Sequence, residues 1–505
     1  MRCLIVKDEE YRTPSMNMRD RVLYSRGFLR LAGKTQVYGT NFGDHTRNRM
    51  THSLEVAQVA RTIARGVNQS LENDDDKIDE DLVEAIALAH DLGHTPFGHA
   101  GERQLHKILN YSNKRVNDIL FDEKAFESTE KENDVQLRQY FASNCGFKHN
   151  WQSVRMLKLL CNEYQGGDML PASKFPDSSY MVNAVLEHSS RSYKEENQAN
   201  LNYYNNHLDK SYFSVKDVHK SDFISNLISN ADEIAQRHHD IEDAIAFRFF
   251  SLTKATEVIF DVDNEKGLPL DFTSKRGSIQ LDEQRKCVCD SDEFFMKKIS
   301  HIIVGYLVEK YTKILVNNLQ NCEDKKIEDD YYKVMEHLGS EIKKMVLTSQ
   351  NVKRMDSRGE FIIRRLFEAY AMNPVQMPNS TLNAVFREYM RQCIKSTDDN
   401  VLKGNIQKHL NKENGVYLFE HAFECRLAFA ACYELPEKEK IYLSFSDNWM
   451  VMSEQVEAKG VLVIYKNLFR ICLMRVIADY IAGMTDSYAE KEYQKLYGVV
   501  HEIVQ

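Results

Sequence analysis

Residues that break helices are scarce in this sequence. Only 8 prolines and 21 glycines are spread over 505 residues, so long uninterrupted helices can form almost anywhere along the chain. Apolar side chains recur at helical spacing through residues 55–65, 79–89 and 222–236. Hydrophobic residues make up 43% of the chain and charged residues 28%, which argues against wholesale disorder. The sequence therefore predicts an all-α protein with a packed core.

The length of the chain bears on its domain organisation. A chain of 505 residues is longer than one compact core usually holds. We predict a first domain over 1–250 and a C-terminal helical region over 292–505, which packs on the first domain and contributes to its pocket and to oligomer interfaces. Residues 251–291 contain glycine, proline and a short β-favouring piece at 278–281, which predict a loop with a small β-hairpin.

Several classes of protein are disfavoured by composition. No apolar run approaches the roughly 18 residues of a spanning helix, and the N-terminus lacks a signal-peptide core, so we expect a cytoplasmic protein without membrane contact. The cysteines are scattered, and the close pair Cys287 and Cys289 cannot supply a tetrahedral zinc site alone, so we expect reduced thiols. A net charge of −9 gives no general affinity for nucleic acids.

The densest chemical signal lies where the second predicted helix ends. An adjacent His90–Asp91 pair follows the apolar run 85–89, and a turn rich in glycine and proline comes next. An imidazole and a carboxylate are costly to bury unless they are paired or bind a cation. A divalent metal would bind both, since neutral histidine nitrogen and aspartate oxygen are good ligands. The alternative is structural: a histidine bonded to a backbone carbonyl and an aspartate that caps the turn.

Two distant residues favour the metal interpretation. His52 opens the first predicted helix, and Asp232 lies in the third, near the face that carries Ile228 and Ala235. No residue three or four positions from Asp232 is cationic, so no salt bridge within the helix compensates its charge. A carboxylate placed there needs a partner from elsewhere, and a metal is a sound candidate. A packing or capping role for Asp232 is the alternative.

Six blocks of sequence are informative when their content and their order along the chain are taken together: 29–37, 47–56, 90–102, 149–155, 231–243 and 479–486. Together they resemble the HD superfamily, whose motif is H…HD…D, and within it the deoxyguanosine triphosphate triphosphohydrolase family. An HD pair alone is weak support for such a resemblance, whereas ordered blocks from residue 29 to residue 486 are specific.

The resemblance implies a metal site. It implies that one divalent ion is bound by four side chains, His52, His90, Asp91 and Asp232. Two imidazoles and two carboxylates suit a roughly octahedral Mn²⁺ or Mg²⁺, with iron, cobalt, nickel and zinc as alternatives.

The turn after the HD pair carries the residues implied to move protons. The resemblance implies that His99 and Glu102 are a catalytic pair, and their three-residue spacing puts both on one face of a helix. A carboxylate on one ring nitrogen fixes the tautomer of a histidine and raises its basicity. His94 also lies on the turn, where we expect it to contact phosphate; the alternative is a side chain that caps the turn.

The implied reaction is the attack of water on the α-phosphorus of a deoxynucleoside triphosphate, dGTP by family, which releases the deoxynucleoside and inorganic triphosphate. The metal would stabilise the charge that grows on the α-phosphate. We predict contacts to the triphosphate from Lys34, Arg49 and Lys174.

Sugar selection is the point where this chain departs from its relatives. The resemblance implies that Gln36 and Asp240 bind the 3′-hydroxyl. Many relatives have tyrosine four residues after the metal aspartate, whereas this chain has Gln236. Selection against ribonucleotides would then depend on Tyr38 or another aromatic residue.

Two other functions stay open at this stage. The chain could be another HD phosphohydrolase, such as a 5′-nucleotidase or a phosphodiesterase, or a nucleotide sensor without catalysis. The blocks outside the metal set argue against the former, and His99 with Glu102 argues against the latter. The resemblance also implies a homo-oligomer, commonly a hexamer, and a nucleotide effector or single-stranded DNA as a further partner.

Overall fold

A computed structural model describes most of the chain. The described residues are 12–36, 47–121, 146–161, 168–171, 174–175, 177–188, 218–246, 252–260, 268–275, 289–322, 324–344, 349–410, 418–435, 440–445, 450–452 and 461–498. They form an all-α fold with one small antiparallel sheet, which confirms the predicted fold class. No helix among them is long and apolar enough to cross a membrane.

The elements follow in chain order. The helices are α1 Pro14–Leu23, α2 Arg26–Arg30, α3 Arg49–Asn68, α4 Glu80–Ala89, α5 Gly98–Leu109, α6 Lys114–Leu120, α7 His149–Arg155, α8 Ser178–Glu187, α9 Val218–Ala246, α10 Leu252–Ile259, α11 Leu270–Thr273, α12 Cys289–Leu319, α13 Lys325–Ile342, α14 Gln350–Met372, α15 Asn379–Ser396, α16 Asn400–Leu410, α17 Ala422–Glu434, α18 Lys466–Ala482 and α19 Asp486–Tyr497. The strands are β1 Ile441–Phe445, β2 Met450–Met452 and β3 Leu462–Ile464. They pair in the order β2-β1-β3.

One compact unit consists of Met1–Leu92 and Leu170–Met355. In it, α3 packs against α4 and α9. Helix α3 begins with a capping box, in which Asn48 accepts from the Thr51 backbone and Thr51 accepts from that of Asn48. Asp79 caps α4 by accepting from two backbone N–H groups of its first turn. The start of α4 agrees with the prediction, whereas α3 begins at Arg49 rather than at His52, so His52 lies within its first turn.

Helix α9 is longer than the sequence pattern predicts. It covers Val218–Ala246 rather than 222–236. Its buried stripe includes Ile228 and Ala235, as predicted, and continues through Ile241 and Ala244. The extension matters because the last two turns carry His239 and Asp240. The buried apolar side chains of Ile241 and Ala244 hold these turns against the core.

The other unit consists of Gly93–Met169 and Asp356–Gln505, with its own hydrophobic core. The small sheet belongs to this unit and comes after α17 and before α18 in the sequence. The predicted hairpin at 278–281 falls outside the described residues. The predicted division into 1–250, 251–291 and 292–505 stays a prediction.

Candidate active site

The four side chains predicted to bind metal lie together in the first unit. His52 Nε2 is 2.8 Å from Asp232 Oδ1. His90 Nε2 is 3.6 Å from Asp91 Oδ1 and 3.8 Å from Asp232 Oδ1. One candidate ligand atom from each of His52, His90 and Asp91 lies within 4.8 Å of the others. Two ring nitrogens and two carboxylates so arranged fit the donor set of a divalent cation.

Hydrogen bonds fix the orientation of this donor set. The His90 Nδ1–H donates to the Ala87 carbonyl at 2.6 Å, so the lone pair of the neutral ring is on Nε2, which faces the carboxylates. Arg49, only 2% exposed, donates from Nη1 to Asp91 Oδ2 at 2.6 Å. Neighbouring partners of this kind orient metal ligands. The alternative for His90, a bond to a backbone carbonyl, is thus present alongside the metal-binding arrangement and does not compete with it.

The ionisable groups of this cluster shift each other's pKa values. Burial disfavours the ionised form of Asp232, but the hydrogen bond from His52 and the charge of His90 hold its pKa well below the usual range. Burial likewise opposes protonation of His52, but the bond to Asp232 and the charge of that carboxylate raise the pKa of the imidazole. Asp232 therefore stays ionised and favours a positive charge beside it, on the His52 ring or on a bound cation.

A further contact lies behind His52. Its Nδ1 is 3.3 Å from Nδ1 of His239, whose other nitrogen contacts the carboxylate of Glu55. Burial, together with the charges of His52 and His238, holds the pKa of His239 well below its usual value. Glu55 and His239 are not among the functional residues predicted from the sequence. The available signals were the position of Glu55 one turn after His52 and the place of His239 in the block 231–243.

The residues predicted to contact triphosphate differ in exposure. Lys34 is fully buried, and its carbonyl accepts from the backbone of Arg49 at 3.1 Å. The Arg49 guanidinium is bonded to Asp91, as described above. Lys174 is exposed on a short turn, where its backbone N–H donates to Pro171 at 2.9 Å.

The residues predicted to bind the sugar also belong to the first unit. Gln36 is half-buried and Asp240 is buried. Within the described part of the chain, Gln36 Oε1 and Asp240 Oδ1 are buried acceptors without a hydrogen-bond partner. Burial raises the pKa of Asp240 to about 7. Gln236 is half-buried on α9, and Tyr38 lies outside the described residues.

The predicted proton-transfer residues form a second cluster, in the other unit. His99 Nδ1 lies 3.1 Å from Glu102 Oε2. His149 contacts the same carboxylate twice, donating from its backbone N–H at 3.0 Å and lying 3.1 Å away through Nδ1. The His94 ring stacks on that of His149, with centroids 4.0 Å apart. His149 was missed as a functional residue, although it begins the block 149–155.

The charge of Glu102 is well stabilised. Burial opposes its ionisation, but His149 and His99 hold its pKa well below the usual range. Glu102 is therefore an ionised acceptor at neutral pH, which orients the His99 ring through Nδ1. The His99 side chain itself is 62% exposed, so its remaining ring nitrogen is accessible to a ligand.

The turn before α5 is held in an unusual backbone conformation. Phe97 and Gly98 have φ values of 60° and 57°, in the left-handed region. The Phe97 N–H donates to Oδ1 of Asp486 at 2.9 Å. A Cβ on Gly93 would lie 2.2 Å from the Ser153 backbone nitrogen, so only glycine fits there.

The last sequence block, 479–486, anchors this unit. Asp479 accepts from Arg155 at 3.1 and 2.5 Å, and Glu388 accepts from the same guanidinium at 3.3 Å. Two carboxylates of this block, Asp479 and Asp486, therefore bond to residues of the blocks 149–155 and 90–102.

Two parts of the chain match known family models. Residues 49–148 match the HD domain, and residues 470–495 match the phosphohydrolase-associated domain. The first match contains His52, His90 and Asp91 together with His99 and Glu102. The second contains the acidic residues of the last block.

The chain is also similar along nearly its whole length to deoxyguanosinetriphosphate triphosphohydrolase-like proteins. The protein of that name from Rickettsia typhi is 26% identical over 493 residues, which cover 96% of this chain and 92% of the relative. Its counterpart from Rickettsia akari is 26% identical, with 95% and 88% covered. The one from Bordetella pertussis is 27% identical, with 73% and 82% covered.

Proposed function

We propose that this chain is a metal-dependent HD-domain phosphohydrolase that hydrolyses a deoxynucleoside triphosphate, dGTP by preference, to the deoxynucleoside and inorganic triphosphate. The observation that carries the proposal is the convergence of His52, His90, Asp91 and Asp232 from three helical segments. The names of the relatives support the substrate, and the retained His99–Glu102 pair supports catalysis over nucleotide sensing.

We assign His52, His90, Asp91 and Asp232 as the ligands of one divalent metal, Mn²⁺ or Mg²⁺ by preference, with iron, cobalt, nickel or zinc as alternatives. When bound, such an ion supplies charge stabilisation at the α-phosphate. Arg49 holds Asp91 by its Oδ2, which leaves Oδ1 directed toward His90. The protein therefore contributes a rigid donor set in which each imidazole presents Nε2.

His99 and Glu102 are proposed to handle the proton. The ionised Glu102 accepts a hydrogen bond from His99 Nδ1–H, so Nε2 is the atom that exchanges a proton with the reactants. At this atom His99 would carry the proton between the attacking water and the 5′-oxygen of the departing nucleoside. His149 holds the opposite side of the same carboxylate and so fixes the position of Glu102.

The remaining predicted residues are assigned to the substrate. Positive charge for the triphosphate comes from Lys34, Arg49 and Lys174, with His94 as a further phosphate contact. Gln36 Oε1 and Asp240 Oδ1 are buried acceptors that a sugar hydroxyl would satisfy. Many relatives have a tyrosine at the position of Gln236. We assign Tyr38 to pack against the sugar in its place.

Product analysis tests the proposal. The protein is incubated with Mn²⁺ and each of the four deoxynucleoside triphosphates, or GTP, and triphosphate is separated from pyrophosphate and phosphate. We expect triphosphate from dGTP, and its loss in Asp232→Asn. Pyrophosphate or orthophosphate as the product would contradict the reaction and favour another HD phosphohydrolase. Nucleotide binding without any turnover would favour a sensor. Equal rates with GTP and dGTP would show that sugar selection is lost.

We also propose that the enzyme acts in the cytoplasm as a homo-oligomer, a hexamer by resemblance, with a nucleotide effector or single-stranded DNA as a further ligand. Light scattering coupled to size-exclusion chromatography measures the assembly. A monomer at micromolar concentration would contradict it.

A further inference from the structure

Three side chains continue outward from the proposed metal site in the first unit. His52 presents Nε2 to Asp232 and Nδ1 to Nδ1 of His239, at 2.8 and 3.3 Å. His239 Nε2 contacts the carboxylate of Glu55, which lies one helical turn after His52 on α3. His52 and His239 are each 1% exposed, so water does not compete for these ring nitrogens.

The chemistry of the three groups fixes the direction of each hydrogen bond. A carboxylate can only accept, so the proton of neutral His239 is on Nε2, toward Glu55. His239 Nδ1 is then an acceptor, and the only proton it can accept at 3.3 Å is the one on Nδ1 of His52. His52 therefore donates from Nδ1 to His239, and without a cation it also donates from Nε2 to the Asp232 carboxylate, which can only accept. Because the Nδ1 proton is held by His239, Nε2 is the atom that gives up its proton when a metal ion binds.

We propose that Glu55 and His239 form a tautomer relay, in which the carboxylate orients His239 and His239 orients His52 so that Nε2 of His52 is available to the metal. The inference rests on the proposed metal site. Glu55 and His239 are positioning residues, since neither reaches the ion. The relay resembles the common carboxylate–histidine pair behind a metal ligand, lengthened by one imidazole.

A second metal site at the same place is a competing interpretation, because Glu55, His238 and His239 together offer three ligand atoms. The charges around Glu55 argue against it. His238 donates from Nδ1 to the carbonyl of Ala235 at 3.1 Å, so only its Nε2 could bind a cation. Arg47 also lies 3.4 Å from Glu55 and supplies positive charge there already.

The test compares two variants of similar size and shape. In His239→Gln, the amide oxygen can accept from His52 while the amide nitrogen donates to Glu55, whereas His239→Met removes both functions. Mn²⁺ affinity is measured by electron paramagnetic resonance on the full chain without substrate. We expect His239→Met to weaken Mn²⁺ binding by roughly 10- to 100-fold and His239→Gln to recover most of that loss. His337→Met is the matched control, since His337 is also buried in this unit and bonds the Val258 carbonyl at 2.8 Å.

The outcomes separate the relay from the site. If the wild type does not bind Mn²⁺, or if His90→Ala and Asp91→Ala bind it unchanged, the metal site itself is refuted. If those variants lose the ion while His239→Met keeps wild-type affinity, only the relay is refuted. Equal weakening in His239→Gln and His239→Met also refutes the relay, because the hydrogen bonds would then not matter. If His239→Met does not fold by circular dichroism, His239→Leu takes its place in the comparison.

Discussion

The carboxylate of Asp486 accepts a hydrogen bond from the backbone N–H of Phe97 at 2.9 Å, across 389 positions of sequence. Phe97 has a left-handed backbone, which costs a residue other than glycine roughly 1–2 kcal/mol. A hydrogen bond to a charged, buried acceptor contributes about 1.5–3 kcal/mol and can offset that cost. Asp486 therefore stabilises the turn from which α5 presents His99 and Glu102.

The Asp486 bond predicts a loss of stability on truncation. Asp486→Ala should lower the free energy of unfolding by about 1–3 kcal/mol, because the Phe97 N–H would lose its acceptor and the strained backbone its support. Urea denaturation followed by circular dichroism measures the change. Asp486→Asn keeps an oxygen in the same place and should lose less. An alanine variant as stable as the wild type would show that the turn does not need this bond.

The turn after the HD pair should not tolerate a side chain at Gly93. A Cβ there would lie 2.2 Å from the Ser153 nitrogen and 2.3 Å from the His149 oxygen, and main-chain atoms cannot move aside cheaply. Gly93→Ala should therefore destabilise the protein by at least about 2 kcal/mol or prevent folding. Gly404→Ala is the matched control, because nothing lies within 4 Å of a Cβ on that exposed helical glycine. It should stabilise α16 by up to about 1 kcal/mol.

The acid sensitivity of stability should depend on Glu388. Burial would raise the pKa of this carboxyl, but the charges of Arg155 and Arg391 more than offset that effect and lower it to about 2. Since the unfolded state binds the proton more readily, the contribution of Glu388 is complete above about pH 4.5 and is lost as the pH falls toward 2.

Glu388→Gln tests this dependence. The variant should be less stable than the wild type at pH 7, by up to about 3 kcal/mol, and the difference should shrink as the pH falls through the range from 4.5 to 2. Denaturant midpoints measured across that range give the comparison. If the difference in stability between the two proteins stayed constant with pH, the arginine neighbours would not lower the pKa of Glu388.

Much of the first unit could be predicted from sequence, because helices α3, α4 and α9 carry apolar side chains at helical spacing, and α3 and α4 begin with recognisable caps. His52, His90 and Asp232 sit at fixed places on those helices, so their approach follows once the helices pack. Asp232 could be predicted as a ligand because no residue three or four positions away in its helix is cationic.

Other parts of the site have no local signal. The pairs Phe97–Asp486 and Arg155–Asp479 join residues hundreds of positions apart, and periodicity reports only neighbours along one element. The approach of His149 to Glu102 depends on a backbone position that no spacing rule gives. The direction of the hydrogen bonds among Glu55, His239 and His52 likewise depends on contacts between separate helices, which spacing along the chain does not give.

Removing the proposed proton carrier should separate chemistry from binding. His99→Ala should reduce kcat by about 10²- to 10⁴-fold, because positioned acid–base catalysis contributes that much. Mn²⁺ affinity should stay near the wild-type value, since His99 is not among the assigned ligands. Glu102→Gln should reduce kcat less than His99→Ala, because the amide oxygen still accepts from Nδ1 but carries no charge. Unchanged turnover in His99→Ala would remove the residue from the mechanism.

Isotope tracing tests the central claim, metal-assisted attack of water on the α-phosphorus, most directly. Hydrolysis of dGTP with Mn²⁺ in water enriched in ¹⁸O, followed by mass spectrometry of both products, locates the bond that breaks. We predict one solvent oxygen in the released triphosphate and none in deoxyguanosine. Label in deoxyguanosine, or dGMP with pyrophosphate as the products, would contradict the account.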